Sequence, residues 1–387
     1  MVVVLVLGLV GSAMAAPTIG RLTGDERRAR LAHMLGILGG LVAGFGVILF
    51  FAANWSDIPR PLRVLLLLSG VVAFFAVGFV LREVRGTHPN IGHAFIFLGT
   101  VLFGASVFLV GQMYHVNAHD PLGFLFWALG ALAMAAVVRS GPIAALGLLS
   151  FFAFLVHELV DASMEFDQFA LIPAFMAFYG VALYGVGTAA QRWFEPLRFV
   201  RPMRFLGYAF LAGGLLPLTF RDAHEFANAD RALDINRVAV MTGCLAAAAV
   251  IAALALAVLR FRDRKTALGE AAVLLGAAVL MLVAILAPEV TEQAFLEGRT
   301  QPDRATVYPI LFNIALAVVA FGAIIVGILM DEVWLANAGA ITVGIDVLAR
   351  FFAPEWSMLE RGVVMMLVGA AVLVLAAAFE RRRLRTA

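Results

Sequence analysis

Lysine and cysteine are nearly absent from this chain, and charged residues of all kinds make up only 14% of it. The single cysteine, Cys244, excludes an intramolecular disulfide and a cysteine-based metal cluster. The single lysine, Lys265, leaves arginine to supply nearly all the positive charge, and the formal net charge is only +2. This balance argues against a nucleic-acid partner.

Long apolar runs replace the missing charge. Hydrophobic residues make up 63% of the chain, and mean hydropathy is +0.98. Because a bilayer offers the backbone no water, each spanning run must satisfy its own hydrogen bonds as a helix. Continuous runs, without alternation, argue against β-barrel strands. We therefore predict an all-α, polytopic bundle of about 12 transmembrane helices, with cores at 31–53, 62–81, 91–112, 122–138, 142–158, 169–189, 205–220, 238–259, 267–287, 309–330, 333–351 and 362–379.

Arginine placement predicts the orientation. With the start of the first predicted helix in the cytoplasm, 19 of the 28 basic residues lie on the cytoplasmic side. We therefore expect both termini to be cytoplasmic in a bacterial inner membrane. The basic and aromatic stretch 191–204 is typical of an interfacial amphipathic segment, with an ordinary basic loop as the alternative.

The first 30 residues form a separate N-terminal segment in this interpretation, followed by one transmembrane domain over 31–387. Residues 1–16 are apolar and end in a sequence that resembles a signal-peptidase site, but they lack a basic n-region. A short extra helix is favoured over a cleaved signal, and a misassigned start is a further alternative.

A similar motif occurs twice. Phe50–Arg60 and Phe351–Arg361 share Phe, Phe, Ala, Trp, Ser and Arg, and each lies between two predicted helices. Small residues recur every fourth position in the helices before them, at Gly36, Gly40 and Gly44 and at Ala336, Ala340 and Gly344. Such ridges allow close helix approach. We therefore predict that the first two and last two helices form repeated hairpins, with Trp55 and Trp356 at one depth. Independent convergence is the alternative.

Three short motifs resemble a bacterial membrane family known as domain of unknown function 2157. They are Gly46–Trp55, Phe103–Ser106 leading into Gly111–His115, and Trp127–Leu129, within a family-like part at 31–138. The resemblance implies an inner-membrane protein but no particular activity. It also implies that a small partner protein is one alternative, since some members are associated with one named for a Gly-Asp-Tyr motif. No such motif occurs in this chain.

Polar residues gather at the outer ends of the third and fifth predicted helices. His115 and His119, together with His157 and Asp161, are weak candidates for a metal site, because imidazole and carboxylate ligands suit zinc. A polar cap at the headgroups is the favoured alternative. Asn54, Gln112 and Tyr114 form a second candidate polar patch.

Ionisable groups within membrane helices are candidate functional sites by default. Asp346 and Arg350 are opposite charges one helical turn apart, and they predict either structural compensation or an ion-linked gate. Asn313 is a further candidate for the same polar path, whereas Glu270 lies near a helix end.

No phosphate-binding loop, nucleophile elbow or dinucleotide fingerprint stands in a suitable context, and no histidine pair suits haem. We therefore expect no enzyme activity and no cofactor. A secondary transporter or permease ranks first, an envelope scaffold or partner-binding protein second, and a metal-binding membrane protein third. The oligomeric state stays open.

Overall fold

The structure is a computed structural model. It describes residues 58–86, 89–114, 121–163, 171–189, 191–220, 235–259, 264–286 and 304–352, and four separate positions after them. Contacts divide the chain into Met1–Leu66 and Leu67–Ala387. All packing described below lies within the second of these units.

Every regular element among the described residues is helical. The helices are α1 (Arg60–Phe79), extended by a π turn (Val80–Val84), α2 (Pro89–Met113), α3 (Leu122–Val138), α4 (Gly141–Ser163), α5 (Leu171–Ala189), α6 (Gln191–Phe194), α7 (Val200–Leu218), α8 (Ile235–Leu259), α9 (Arg264–Leu286), α10 (Arg304–Leu329) and α11 (Val333–Phe352). The prediction of an all-α fold is confirmed for this part of the chain.

Ten of the predicted helices, the second to the eleventh, coincide with these elements. The first, and nearly all of the twelfth, lie outside the described residues, as do the N-terminal segment, the Phe50–Phe51 pair and both motif tryptophans, Trp55 and Trp356. Phe351 and Phe352 are the last residues of α11. Six described helices are long and apolar enough to span a membrane: Arg60–Val84, Pro89–Met113, Gly141–Leu159, Ile172–Ala189, Val307–Leu329 and Val333–Arg350. A total of twelve spans, and the repeated hairpin, stay predictions.

The interfacial segment expected over 191–204 is shorter than predicted. Only Gln191–Phe194 forms a separate helix, and the last five residues of the stretch already belong to α7. A proline in the first turn of a helix removes no intrahelical hydrogen bond, so Pro202 does not delay the start of α7. Arg204 thereby becomes part of a packed helix instead of a loop.

Glycines allow α5 and α7 to pack backbone to backbone. A Cβ on Gly207 would lie 2.5 Å from the Tyr184 backbone nitrogen, and one on Gly187 would lie 2.8 Å from Cβ of Met203. A Cβ on Gly214 would contact the Pro173 carbonyl. Along these contacts, residue numbers increase on α7 while they decrease on α5, so the two helices are antiparallel. Small residues at such contacts are the usual means of close packing between membrane helices.

The helices α10 and α11 form an antiparallel pair through other small residues. Gly327 faces Ala336, and a Cβ added to Gly339 would lie 2.5 Å from the Ala320 carbonyl oxygen. The expected ridge on α11 is therefore only partly correct. Ala336 is at the contact, but Ala340 and Gly344 are exposed. Ala336 and Gly339 are three residues apart and therefore lie on the same face of α11, which is the face that packs against α10.

Candidate functional site

A buried arginine on α7 forms the first polar cluster, which we call the inner cluster after its place in the predicted topology. Arg204 is only 6% exposed. Its Nη1 donates to Glu332 Oε1 at 2.6 Å, and its Nη2 donates to Oε2 of the same carboxylate at 2.5 Å. Glu332 lies in the connection between α10 and α11. This two-pronged geometry is the strongest ion-pair arrangement available to arginine, and it fixes α7 against the start of α11.

Aromatic groups surround this cluster. The Arg204 guanidinium carbon lies 5.5 Å from the centroid of the Tyr184 ring and 5.3 Å from that of Trp334. Its Nη2 also donates to the Tyr184 hydroxyl at 3.4 Å. Glu270 of α9 is buried and within electrostatic range of that hydroxyl. The cluster thus joins α5, α7, α9 and the α10–α11 connection.

A single hydrogen bond lies midway along the same helices. The hydroxyls of Tyr208 on α7 and Thr342 on α11 are 2.9 Å apart. Thr342 also donates to the Ala338 carbonyl at 2.9 Å, so Tyr208 is the donor between the two hydroxyls. This bond provides the polar contact between the two arginine clusters.

A second buried arginine forms another polar cluster at the far end of α7 and α11, which we call the outer cluster after its place in the predicted topology. Arg350 is 4% exposed. Its Nη2 donates to Asn313 Oδ1 at 2.9 Å, and its Nη1 donates to the Thr219 carbonyl at 3.2 Å. The Asp346 carboxylate lies 3.4 Å from Arg350 Nε, and the Phe220 ring centroid lies 4.2 Å from the guanidinium carbon.

The outer cluster closes the C-terminal end of α7. The last carbonyls of a helix have no donor within the helix. Here the Thr219 carbonyl accepts from Arg350 and, at 3.1 Å, from Asn313 Nδ2. The same amide donates to the Pro309 carbonyl at 2.6 Å. A cation at this end also interacts favourably with the helix dipole.

The two clusters show that α7 and α11 run in parallel. Arg204 meets Glu332, Tyr208 meets Thr342, and Thr219 meets Arg350. Fifteen residues separate the two ends of this series on α7, about 22 Å at the rise of an α-helix.

Three predicted site residues, Asp346, Arg350 and Asn313, are brought together in the outer cluster. The polar-patch residues are placed differently. Gln112 and Tyr114 are both exposed, and Asn54 lies outside the described residues. The structure does not bring Gln112 and Tyr114 into this cluster by any contact that it describes.

The predicted metal ligands are only partly described. His157 is exposed and packs edge-on against Phe124 at 4.9 Å. His115, His119 and the Asp161 side chain lie outside the part that the structure describes. Within that part, no three metal-ligating side chains lie close enough to hold an ion. The metal site stays a prediction.

Sequence reasoning missed the inner cluster. Arg204 was assigned to a cytoplasmic loop, and Glu332, Tyr208 and Thr342 were not singled out. The apolar run directly after Arg204 could have indicated that Arg204 already lies within a helix. Its pairing with Glu332, 128 residues later, has no local signal.

Two of the family-like motifs meet in space. The Trp127 indole donates to the Thr100 carbonyl at 3.1 Å. Its ring occupies the place where Gly104 would carry a Cβ, so a larger residue at 104 is excluded unless the ring moves. The Phe103–Ser106 and Trp127–Leu129 motifs therefore belong to one helix contact, between α2 and α3.

Residues 8–144 match a family described as a predicted membrane protein (DUF2157). The resemblance suggested by the short motifs is thereby confirmed over this first part of the chain. No curated protein and no solved structure matches the chain. Together with the apolar helices, the match identifies a transmembrane protein that contacts the lipid bilayer.

Proposed function

We propose that the protein is a non-enzymatic secondary transporter of a small solute in a bacterial inner membrane, with both termini cytoplasmic. The observation that carries this proposal is the polar series along α7 and α11. It runs from Arg204–Glu332 through Tyr208–Thr342 to Arg350–Asn313. Charged and hydroxyl groups at the interface of apolar helices are the usual marks of a solute or ion path.

The outer cluster is the proposed ion-linked gate. Asp346 Oδ1 lies 3.4 Å from Arg350 Nε and is buried, whereas the Asp346 side chain as a whole is 27% exposed. The part of the side chain that is exposed gives the carboxyl group a route to protonation while the arginine stays buried. Arg350 contacts Thr219 at the end of α7, Asn313 on α10 and Asp346 on its own helix, α11. Loss of the Asp346 charge would therefore alter the balance that holds three helices together.

The parallel course of α7 and α11 supports the proposed topology. Three helices, α8 to α10, lie between them in the chain. Two parallel helices in a membrane need an odd number of crossings between them, and three single crossings meet this requirement. Arg204 then lies toward the cytoplasm and Arg350 toward the outside, as the arginine distribution predicts.

The second candidate function is that of an envelope scaffold or partner-binding protein. The small partner protein of some family members is one candidate for its binding partner. The inner cluster favours this function, because the Arg204–Glu332 bridge and the glycine contacts of α5 and α7 fix the helices tightly. A scaffold needs no water-accessible path, whereas a transporter does. This difference separates the two functions.

Cysteine labelling of Thr342 tests the proposal. Thr342→Cys would be made in a Cys244→Ser background and treated with a membrane-impermeant, cationic thiosulfonate reagent in right-side-out and inverted vesicles. Transport predicts modification from at least one side. Gly344→Cys is the matched control, since Gly344 is exposed on another face of the same helix and meets no other atom within 4 Å.

The control cysteine is expected to face lipid and to stay unmodified by the charged reagent. No modification of the cysteine at 342 from either side, in protein that folds normally, would contradict the transport proposal and favour the scaffold. Equal modification at 342 and 344 would also contradict it, because access would then not follow the polar face.

A further inference from the structure

Three arginines from separate connections meet at one end of the helices. Arg82 lies in the π turn, Arg139 follows α3, and Arg198 precedes α7. We call these three residues, with His93 and Ser140, the arginine corner. Its members come from parts of the chain that the fold alone brings together.

Contacts within the arginine corner are specific. Arg82 Nη1 lies 3.3 Å from His93 Nδ1, and Arg82 Nη2 donates to the Val138 carbonyl at 2.9 Å. His93 Nε2 lies 2.9 Å from the Ser140 hydroxyl oxygen. Arg198 is within electrostatic range of His93. Arg82, His93 and Ser140 thus form a hydrogen-bonded group close to Arg198, and Arg139 directly precedes Ser140 in the chain.

The backbone of Arg198 lies against the start of α4. A Cβ on Gly141 would be 3.4 Å from the Arg198 carbonyl oxygen. Since Arg139 is only two residues before Gly141, the two exposed arginines lie on neighbouring turns.

Positive charge is in excess at this corner. Glu83 pairs with Arg82 at 3.1 Å, and Glu195 accepts from the Gln191 amide at 2.8 Å. No contact among the described residues joins Arg139 or Arg198 to a carboxylate. These two guanidinium groups are exposed and available to an anion from outside the protein.

Both exposed arginines have a backbone conformation that favours glycine. Their φ angles are 54° and 58°. An L-residue in this region costs roughly 1–2 kcal/mol relative to its right-handed conformation. The third connection of the corner has Gly86 at a φ of 61°. Arginine thus occupies two positions where glycine would fit with less strain.

The corner lies at the expected depth of lipid phosphates. The spans Arg60–Val84, Pro89–Met113 and Gly141–Leu159 each have one end here. Phe194 and Phe199 stack with ring centroids 6.3 Å apart, on either side of the turn that holds Arg198. The predicted topology puts the corner on the cytoplasmic side, where anionic lipids concentrate.

We infer that the arginine corner binds a phosphate group, either the headgroup phosphate of an anionic phospholipid or the phosphate of a soluble compound. Guanidinium groups donate pairs of hydrogen bonds to phosphate oxygens. The start of α4 adds the positive end of a helix dipole, and the Ser140 hydroxyl already caps it by accepting from the Ile143 N–H at 3.3 Å. This site is independent of the proposed transport path.

The test compares the wild type with Arg139→Gly/Arg198→Gly. Glycine accepts the positive φ at both positions, so the double variant should fold at least as well while losing both charges. Asp331→Gly is the matched control, because Asp331 has a φ of 58° but lies outside the corner. Binding of phosphatidylglycerol, with phosphatidylcholine as reference, would be measured in detergent by native mass spectrometry.

We expect the wild type and Asp331→Gly to bind phosphatidylglycerol in preference to phosphatidylcholine. The double variant should bind it about tenfold or more weakly, since loss of two charge-assisted contacts exceeds the free energy of one decade in affinity. Thermal unfolding of the same samples without lipid would confirm that the variant is folded.

A second arm adds inorganic phosphate. Displacement of the lipid at millimolar phosphate would identify phosphate itself as the ligand, and failure to displace it would identify the lipid headgroup. Either result supports a phosphate site. The inference is overturned if the double variant and the wild type bind phosphatidylglycerol equally, or if the wild type binds neither phosphatidylglycerol nor inorganic phosphate.

Discussion

The two buried arginines at opposite ends of α7 and α11 differ in how their charge is balanced. Arg204 faces both oxygens of one carboxylate at 2.5–2.6 Å. Arg350 has an amide oxygen, a backbone carbonyl and an aromatic ring, and its carboxylate lies at 3.4 Å. Equal burial thus accompanies unequal ion-pair geometry. The inner cluster is suited to fixing helices, and the outer cluster is suited to changing its state.

Partner exposure extends the comparison. Both arginine side chains are nearly inaccessible, and their carboxylate partners are exposed to a similar extent, 24% for Glu332 and 27% for Asp346. The difference lies in the geometry of the ion pairs, because Glu332 binds two nitrogens of Arg204, whereas Asp346 lies near one nitrogen of Arg350. We therefore infer that the Arg204 end of the polar series fixes the helices and that the Arg350 end changes its state.

The largest expected effect comes from Glu332→Gln. It leaves Arg204 buried without its carboxylate, and breaking a buried pair in this way costs about 3–5 kcal/mol. The free energy of unfolding in mixed micelles should fall accordingly. Glu83→Gln is the control, since Glu83 pairs with Arg82 on the exposed side and should change stability little. Equal effects of the two substitutions would remove the anchoring role of the inner cluster.

A smaller loss is expected from Gly207→Ala. The added Cβ would lie 2.5 Å from the Tyr184 backbone nitrogen and 2.9 Å from the Gly180 carbonyl oxygen. Such overpacking costs about 1–3 kcal/mol and would push α7 away from α5 near Arg204. Thermal unfolding measures the loss. Gly322→Ala on α10 meets nothing within 4 Å and should be neutral or slightly stabilising. A neutral Gly207→Ala would show that the α5–α7 contact is looser than described.

Hydropathy was sufficient to predict most of the described helices. An apolar run in a bilayer has few alternatives to a helix, so 122–138 was predicted with the bounds that the structure gives. The start of α7 was missed because arginines and Pro202 are typical of loops, although both are compatible with a first helical turn.

The outer cluster was partly predictable because Asp346 and Arg350 are neighbours on one helix. Asn313 was a candidate only as a polar residue in an apolar helix, and its contact with Arg350 depends on how α10 and α11 pack. Thr219 and Phe220 take part through the end of α7, which no sequence pattern specifies. Glu332 was missed for the same reason. Tertiary packing alone determines which distant carboxylate meets which arginine.

The most direct test of the comparison is a pair of double-mutant cycles in one detergent. One cycle combines Arg204→Gln with Glu332→Gln, and the other combines Arg350→Gln with Asp346→Asn. Each single substitution removes one charge, and unfolding free energies of all variants give the coupling within each pair. Asp346→Asn alone should cost about 1 kcal/mol, because its carboxylate approaches a single nitrogen of Arg350 at 3.4 Å and makes no two-pronged contact. The account predicts partial recovery in the outer double variant and a coupling free energy at the inner pair that is several times larger. Equal couplings, or a larger coupling at the outer pair, would contradict it.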